Sequence, residues 1–314
     1  METEDLPESS NIEDRRGEGG SIRGGGGFGG IPGGAGGLSI GTVVVLGLIG
    51  YALGIDPGLL IGGAEVLTHE GPAVNSPTTP RQTGTPQDEK GRFVSRVLGS
   101  TEVVWKDLFA KDGKTYRAPT LILFRGQTEA RCGGVAQSAM GPFYCPNDQK
   151  IYLDTQFFDL IETRFRGCDT SRSCLFSQAY VIAHEVGHHV QNLFGVLSRA
   201  HSAQQSAGRG AAEANHIQVQ VELQADCFAG VWAKYEDDLL RRQGKRAMIE
   251  PGDVEAALRT AAAIGDDTLQ KRAGRAVVPD SFTHGSSEQR QRWFNNGYNG
   301  GEVGSCNTFA ATRL

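Results

Sequence analysis

The residues of this chain best equipped for chemistry lie in one short run, Val181-Ile182-Ala183-His184-Glu185-Val186-Gly187-His188-His189-Val190, which contains the pattern H-E-x-x-H. On a helix, residues four apart stand one above the other, so His184 and His188 can aim two imidazoles at one point. Two converging imidazoles suit a borderline metal ion, zinc above all. Glu185 lies beside them without being needed as a ligand, which fits a base that takes a proton from metal-activated water. His189 is rotated about 100° from His188 and cannot share the ion; a packing role is expected for it.

A tetrahedral catalytic zinc takes three protein ligands and leaves the fourth place to water. The extension H-E-x-x-H-x-x-G-x-x-H is ruled out, because Gln191 stands at its glycine and Phe194 at its last histidine. A carboxylate from a later helix is the other route. Glu222-Leu223-Gln224-Ala225-Asp226, thirty-four residues past His188, puts two carboxylates on one helical face. Val219, Val221, Leu223, Ala225, Phe228, Ala229 and Val231 crowd this stretch, and a carboxylate among so many apolar neighbours is costly unless paired or metal-bound. Glu222 is therefore expected to bind the metal, and Asp226 to accept the outer N–H of a ligating histidine. A solvated acidic face is the plain alternative for both, and Glu213, His201 and His216 compete for the third ligand place.

The blocks VIAHEVGHHVQNLFGV, VELQADCFAGVWA and SFTHGSSEQRQRWFNNGYNGG together resemble the neutral zinc metallopeptidases of bacteria (the YpfJ-like group). The N-terminal glycine-rich stretch and single apolar segment resemble that family as well. The pairing of H-E-x-x-H with E-x-x-x-D is similar to the wider gluzincin arrangement typified by thermolysin. The resemblance implies Zn2+ held by His184, His188 and Glu222, with Glu185 as general base and Asp226 orienting a ligand. It also implies that His284, in Thr283-His284-Gly285-Ser286-Ser287, stabilises charge on the scissile oxygen. The competing reading is that Ser286 or Ser287 caps a helix closed by Glu288, with His284 bonded locally. Tyr298 is a weaker candidate for the same role.

These residues need a folded domain to position them. Net charge is −5, which gives no electrostatic case for nucleic acid as a partner. The 44 glycines are concentrated near the N-terminus, so residues 1–37 are expected to form a disordered, glycine-rich cytoplasmic tail. Leu38 to Ile55 carries no charge over eighteen residues and just reaches bilayer-spanning length. Arg15, Arg16 and Arg23 precede it, and no Lys or Arg follows until Arg81. By the positive-inside rule, residues 38–55 are a single-pass transmembrane anchor in the cell membrane, with the N-terminus cytoplasmic and the catalytic domain extracytoplasmic. Residues 56–89 are read as a flexible linker and 90–314 as the metallopeptidase domain. An exported domain with six cysteines suits disulfides, of which Cys132/Cys145, Cys168/Cys174 and Cys227/Cys306 are the economical set.

Within the domain, Phe93 to Leu108 suggests a first amphipathic helix and Pro119 to Phe124 a buried strand. Short strands are expected at Val135–Met140, Gly141–Cys145 and Lys150–Asp154. Helices are expected at Phe157–Phe165, Cys174–Phe194, 216–243, 252–264 and 287–296, with a loop at 195–212. Strands first and helices afterwards make an α+β fold, zincin-like in its small sheet and active-site helices. A peptide or protein substrate is expected to extend along an edge strand, with Val135–Met140 the candidate. Two other functions use the same residues: a non-catalytic zinc-stabilised module at the cell surface, and a hydrolase of a non-protein amide such as a cell-wall crosslink.

Overall fold

A computed structural model of the protein describes residues 1–18, 82–132, 134–138, 141–163, 171–208, 211–274 and 276–314. It is a mixed α and β structure, mostly helical, with a small sheet. Strands β1 (Ile12–Asp14), β2 (Gln82–Thr83), β3 (Thr120–Phe124), β6 (Phe143–Cys145) and β7 (Lys150–Asp154) form one sheet in the order β2-β1-β3-β7-β6. The pairs β1/β3 and β3/β7 are parallel, and both outer pairs are antiparallel. Strands β4 (Gln127–Ala130) and β5 (Gly134–Gln137) form a separate antiparallel hairpin.

Alternation along the central strands decides what covers each face. Leu121, Leu123, Ile151 and Leu153 enter the large core shared with the helices. Ile122, Phe124 and Tyr152 point the other way, into a smaller cluster with Ala130 and Ala136 of the hairpin. Helix α1 (Glu89–Lys111) is started by Asp88, whose side chain accepts from the Gly91 N–H. It buries Phe93, Val94, Val97, Leu98, Val104 and Trp105 at helical spacing. Helix α2 (Gln156–Thr163) follows the sheet, and then come α3 (Ser171–Leu193), α4 (Val196–Ala207), α5 (Ala212–Arg242), α6 (Asp253–Ala263), α7 (Asp266–Arg272) and α8 (Ser287–Gly300). The H-E-x-x-H run lies in α3 and the E-x-x-x-D run in α5. Both helices are apolar nearly all round there, because other elements cover them on several sides.

Three sequence expectations are corrected by this arrangement. Residues 1–18 are not a tail: Met1, Leu6 and Ile12 are buried in the core, and β1 sits between β2 and β3. A three-residue strand with one large apolar side chain leaves almost no periodicity to read. Arg15 and Arg16, which drove the charge-based topology, are instead paired, Arg15 with Glu13 and Arg16 with Asp14 and Asp88. Likewise β2 and the Asp88 cap draw the end of the expected linker into the fold. The expected loop at 195–212 contains α4, whose Ala200 and Gln204 are buried, with the Gln204 amide donating to the Ala214 carbonyl and to Gln218.

The apolar segment 38–55 lies outside the described residues, and among those described no helix is long and apolar enough to cross a membrane. Strands of one sheet share one side of any bilayer, since backbone pairing cannot reach across it. β1 and β3, on either side of that segment in sequence, therefore share one side of any membrane for as long as they pair. Disulfides join Cys132 to Cys145 and Cys227 to Cys306. Cys168 of the third expected pair lies outside the described residues.

One buried acid has no part in the metal chemistry. Glu236 on α5 is 1% exposed and its Oε2 has no hydrogen-bond partner. Burial pushes its carboxyl up to about 7, against the opposing pull of Ser100 and Lys245. A raised carboxyl pKa favours the protonated folded form, so stability is lost as pH rises from about 4.5 through 7. The loss above pH 7 is about 3 kcal/mol. Melting temperatures at pH 5 and pH 8 should therefore differ less in Glu236→Gln than in the parent. Ile12→Ala should lower unfolding stability by about 2–5 kcal/mol, measured by denaturant titration. A tail residue would give no change.

Candidate metal centre

Helices α3 and α5 bring the two sequence motifs together through a contact between small residues. A Cβ placed on Gly187 would lie 3.0 Å from the Ala225 carbonyl oxygen and 3.1 Å from its Cα. Glycine between Glu185 and His188 thus lets the two backbones approach at the level of the site. Glu222 lies one turn before Ala225 and faces the histidines. The Glu222 Oε2 is 3.2 Å from His184 Nε2 and 3.6 Å from His188 Nε2. Tetrahedral zinc with bonds of about 2.0–2.1 Å sets its ligand atoms roughly 3.3–3.4 Å apart. Ligand atoms of His184, His188 and Glu222 all fall within 4.8 Å of one another. Glu213, His201 and His216, the competing third ligands, are exposed and stand outside this group.

The neighbours of each ligand decide which atom it offers. Asp226 is fully buried, and its Oδ1 accepts from His184 Nδ1 at 2.8 Å and from the Tyr180 hydroxyl at 2.5 Å. Arg290 on α8 donates to both carboxylate oxygens, each at 2.8 Å. An ionised carboxylate only accepts, so His184 carries a proton on Nδ1 and directs Nε2 at Glu222. Burial opposes ionisation of Asp226, yet Arg290 and His184 hold it at about 2. For His184, burial is outweighed by Asp226 and Glu222, which push it up to about 10 with no metal bound. The Glu222 carboxyl is likewise held well below its usual range, because His188 and His184 overcome its burial. A buried carboxylate beside two imidazoles must be answered by positive charge, either a proton on His184, as its raised pKa gives, or a cation among the three, and two nitrogens with one oxygen make a donor set that zinc favours. The residues fit the ion.

Glu185 follows His184 on α3 and is 7% exposed. Burial raises its pKa, against the attraction of His188 and His184, and a backbone N–H of Tyr144 faces it. That neighbour belongs to β6, the edge strand of the main sheet. His189 holds the strand there: its Nδ1 accepts from the Tyr144 hydroxyl at 3.0 Å, and its Nε2–H donates to the Arg117 carbonyl at 2.6 Å. Asn192 donates to the same hydroxyl at 2.9 Å. Val135–Gln137 instead belongs to the separate hairpin, so the strand beside Glu185 is β6 and not the expected Val135–Met140.

His284 is carried by the loop before α8. Gly285 next to it meets Val219 and Leu223 of α5, on either side of Glu222 in sequence. Asp266 Oδ2 accepts the backbone N–H groups of Thr283 and His284, both at 2.6 Å, and of Gly285 at 3.1 Å. His284 Nδ1 lies 3.5 Å from Asp266 Oδ1. Burial would lower its pKa, but Asp266 and Glu222 raise it overall. Ser286 caps α8 in a reciprocal box with Gln289, so Gln289 and not Glu288 closes the turn. Tyr298 stacks on Phe294, with its backbone against Gly230, about 12 Å along α5 from Glu222. Sequence reading missed Tyr180, Gln191, Asp266 and Arg290. Each lies far along the chain from the group it serves, or carries a side chain common in many other settings.

A family model described as "putative neutral zinc metallopeptidase" matches residues 1–309. The chain is similar to the uncharacterised protein YpfJ of Escherichia coli strain K12, 45% identical over 303 residues that cover 96% of each chain. It is also similar to an uncharacterised Mycobacterium bovis protein, 41% identical over 270 residues, 83% of this chain and 85% of that one. No solved structure matches the chain.

The Asp226–Arg290 pair separates stability from metal binding. Asp226→Asn should destabilise the metal-free protein by about 3–5 kcal/mol, because Arg290 is left buried without its partner. It should also weaken zinc binding about 10–100-fold. Adding Arg290→Met should restore part of the stability, read by denaturant titration, but not the zinc affinity, read by chelator competition.

Proposed function

The chain belongs to the neutral zinc metallopeptidase family, and from that premise we propose that it hydrolyses peptide bonds with zinc held by His184, His188 and Glu222. Bound there, zinc would polarise the scissile carbonyl and acidify a water molecule. Glu185 takes the proton of the attacking water and later delivers it to the leaving amine. Its burial supports this role, since a raised carboxyl pKa lets one group act first as base and then as acid. His284, whose pKa Asp266 and Glu222 raise, is the hydrogen-bond donor for the charge developing on the scissile oxygen. Asp226 and Arg290 keep His184 oriented throughout.

The substrate extends along β6, as peptides do when they add a strand to an open sheet edge. The packing of this strand against α3, which carries H-E-x-x-H, supports the zincin-like reading. The domain works in an oxidising compartment, a placement supported by the Cys132–Cys145 and Cys227–Cys306 disulfides. Residues 38–55 attach it to a membrane, with residues 1–18 on the same side as the domain.

The observation that carries the proposal is the convergence of His184, His188 and Glu222 with Glu185 adjoining them in a buried position. A purely structural zinc site has no use for that fourth residue. Glu185→Gln should keep one zinc per chain and lose about 10²–10⁴-fold in turnover of a peptide library. Undiminished cleavage by the zinc-loaded variant would rule the mechanism out. Bound zinc with no cleavage by the parent would favour a non-catalytic module.

A further inference from the structure

We propose that Gln191 is the positioning residue for His188, holding its imidazole in the Nδ1–H tautomer through an amide relay anchored at the Cys306 carbonyl. This rests on the metal centre described above. Among the described residues no carboxylate orients His188: Asp226 serves His184, and the atom facing His188 Nδ1 is Gln191 Oε1, at 2.9 Å. Gln191 is fully buried and lies three residues on, on the same face of α3.

The polarity of every link in the relay is determined by groups that cannot reverse it. A backbone carbonyl only accepts. Gln191 Nε2 is 2.7 Å from the Val221 carbonyl oxygen, so this end of the amide is the donor and Oε1 must face His188. The same Nε2 donates to Gln224 Oε1 at 3.1 Å. Gln224 is oriented in turn by its own Nε2, which donates to the Cys306 carbonyl at 2.9 Å. With Oε1 of Gln191 as acceptor, His188 Nδ1 must carry the proton. The Nε2 lone pair is then left to point at Glu222.

Both ends of the relay are tied to parts of the site. Val221 immediately precedes Glu222, so Gln191 binds the second histidine to the backbone carrying the third ligand. Cys306 is held to α5 by its disulfide with Cys227, next to Asp226. The two histidines are thus oriented by different chemistry, His184 by a carboxylate neutralised by Arg290 and His188 by a neutral amide. The amide orients its histidine without adding a further buried charge beside Glu222. A glutamine that only filled its place in the core would not need its oxygen on the ligand histidine.

The test compares Gln191→Met, Gln191→Glu and Gln224→Met with the full-length parent. The readouts are zinc dissociation constants by chelator competition, the visible spectrum of the cobalt-substituted protein, and thermal unfolding of the metal-free form. Gln191→Met removes the acceptor at similar length and should weaken zinc about 10–100-fold and shift the cobalt spectrum. Gln191→Glu keeps an acceptor toward Nδ1 but loses the donor to the Val221 carbonyl and Gln224 Oε1, so it should bind zinc more weakly than the parent. Gln224→Met, one link away, should fold normally and lose several-fold, and it carries the test if Gln191→Met does not fold. Parent-like affinity and spectrum in Gln191→Met, or in Gln224→Met where it stands in, would overturn the proposal. So would a Gln191→Glu variant that binds zinc as tightly as the parent. A parent that binds no zinc, matching a His184→Ala control, would instead overturn the metal centre itself and the relay with it.

Discussion

Helices α3 and α5 touch backbone to backbone, and the geometry of the site follows from how closely they meet. Gly187 on one and Ala225 on the other occupy the crossing, and any larger pair would hold Glu222 away from the two histidines. The next contact is tighter still. A Cβ on Gly297 of α8 would lie 1.9 Å from the Cys227 carbonyl oxygen, and one on Gly230 would lie 2.2 Å from that of Phe294. Three helices are therefore locked side by side through residues with little or no side chain. Arg290 reaches Asp226 because of the second crossing, just as Glu222 reaches His184 because of the first.

Such close packing carries an electrostatic demand. It removes Glu222, Asp226, His184 and Arg290 from water, and each charge must then be answered by another inside the protein. Arg290 answers Asp226 and Asp226 orients His184. Glu222 faces His184 and His188, and a cation among the three would complete the group. The sheet contributes on the other side, where His189 and Asn192 pin Tyr144 and so hold β6 against α3. The residue after His188 thus holds a strand beside the candidate site while standing outside the ligand group.

What could be read from sequence was whatever is encoded over a few residues. H-E-x-x-H and E-x-x-x-D express their geometry within single helices, so His184, His188, Glu222 and Asp226 stood out from spacing and apolar surroundings alone. Helix positions were legible for the same reason, apart from the short α7 and from α4, whose small and polar residues look like a loop until Gln204 finds Ala214 and Gln218. Arg290 could not be seen, because its partner is 64 residues away and an arginine on an exposed helix looks the same in sequence. Gln191 marked only the absence of a glycine, and its role depends on a carbonyl beyond residue 300. The N-terminal strand was hidden by composition: its charges suggested a tail, whereas in the fold they pair with one another around Ile12.

The central claim is that one zinc ion lies between α3 and α5, bound by residues from both. Crystals of the protein grown with zinc, with anomalous data collected on either side of the zinc absorption edge, test it most directly. One strong peak per chain is expected, about 2.0–2.2 Å from His184 Nε2, His188 Nε2 and a Glu222 carboxylate oxygen. A crystal with no peak at that place, or with zinc held by other residues while these three turn apart, would contradict it.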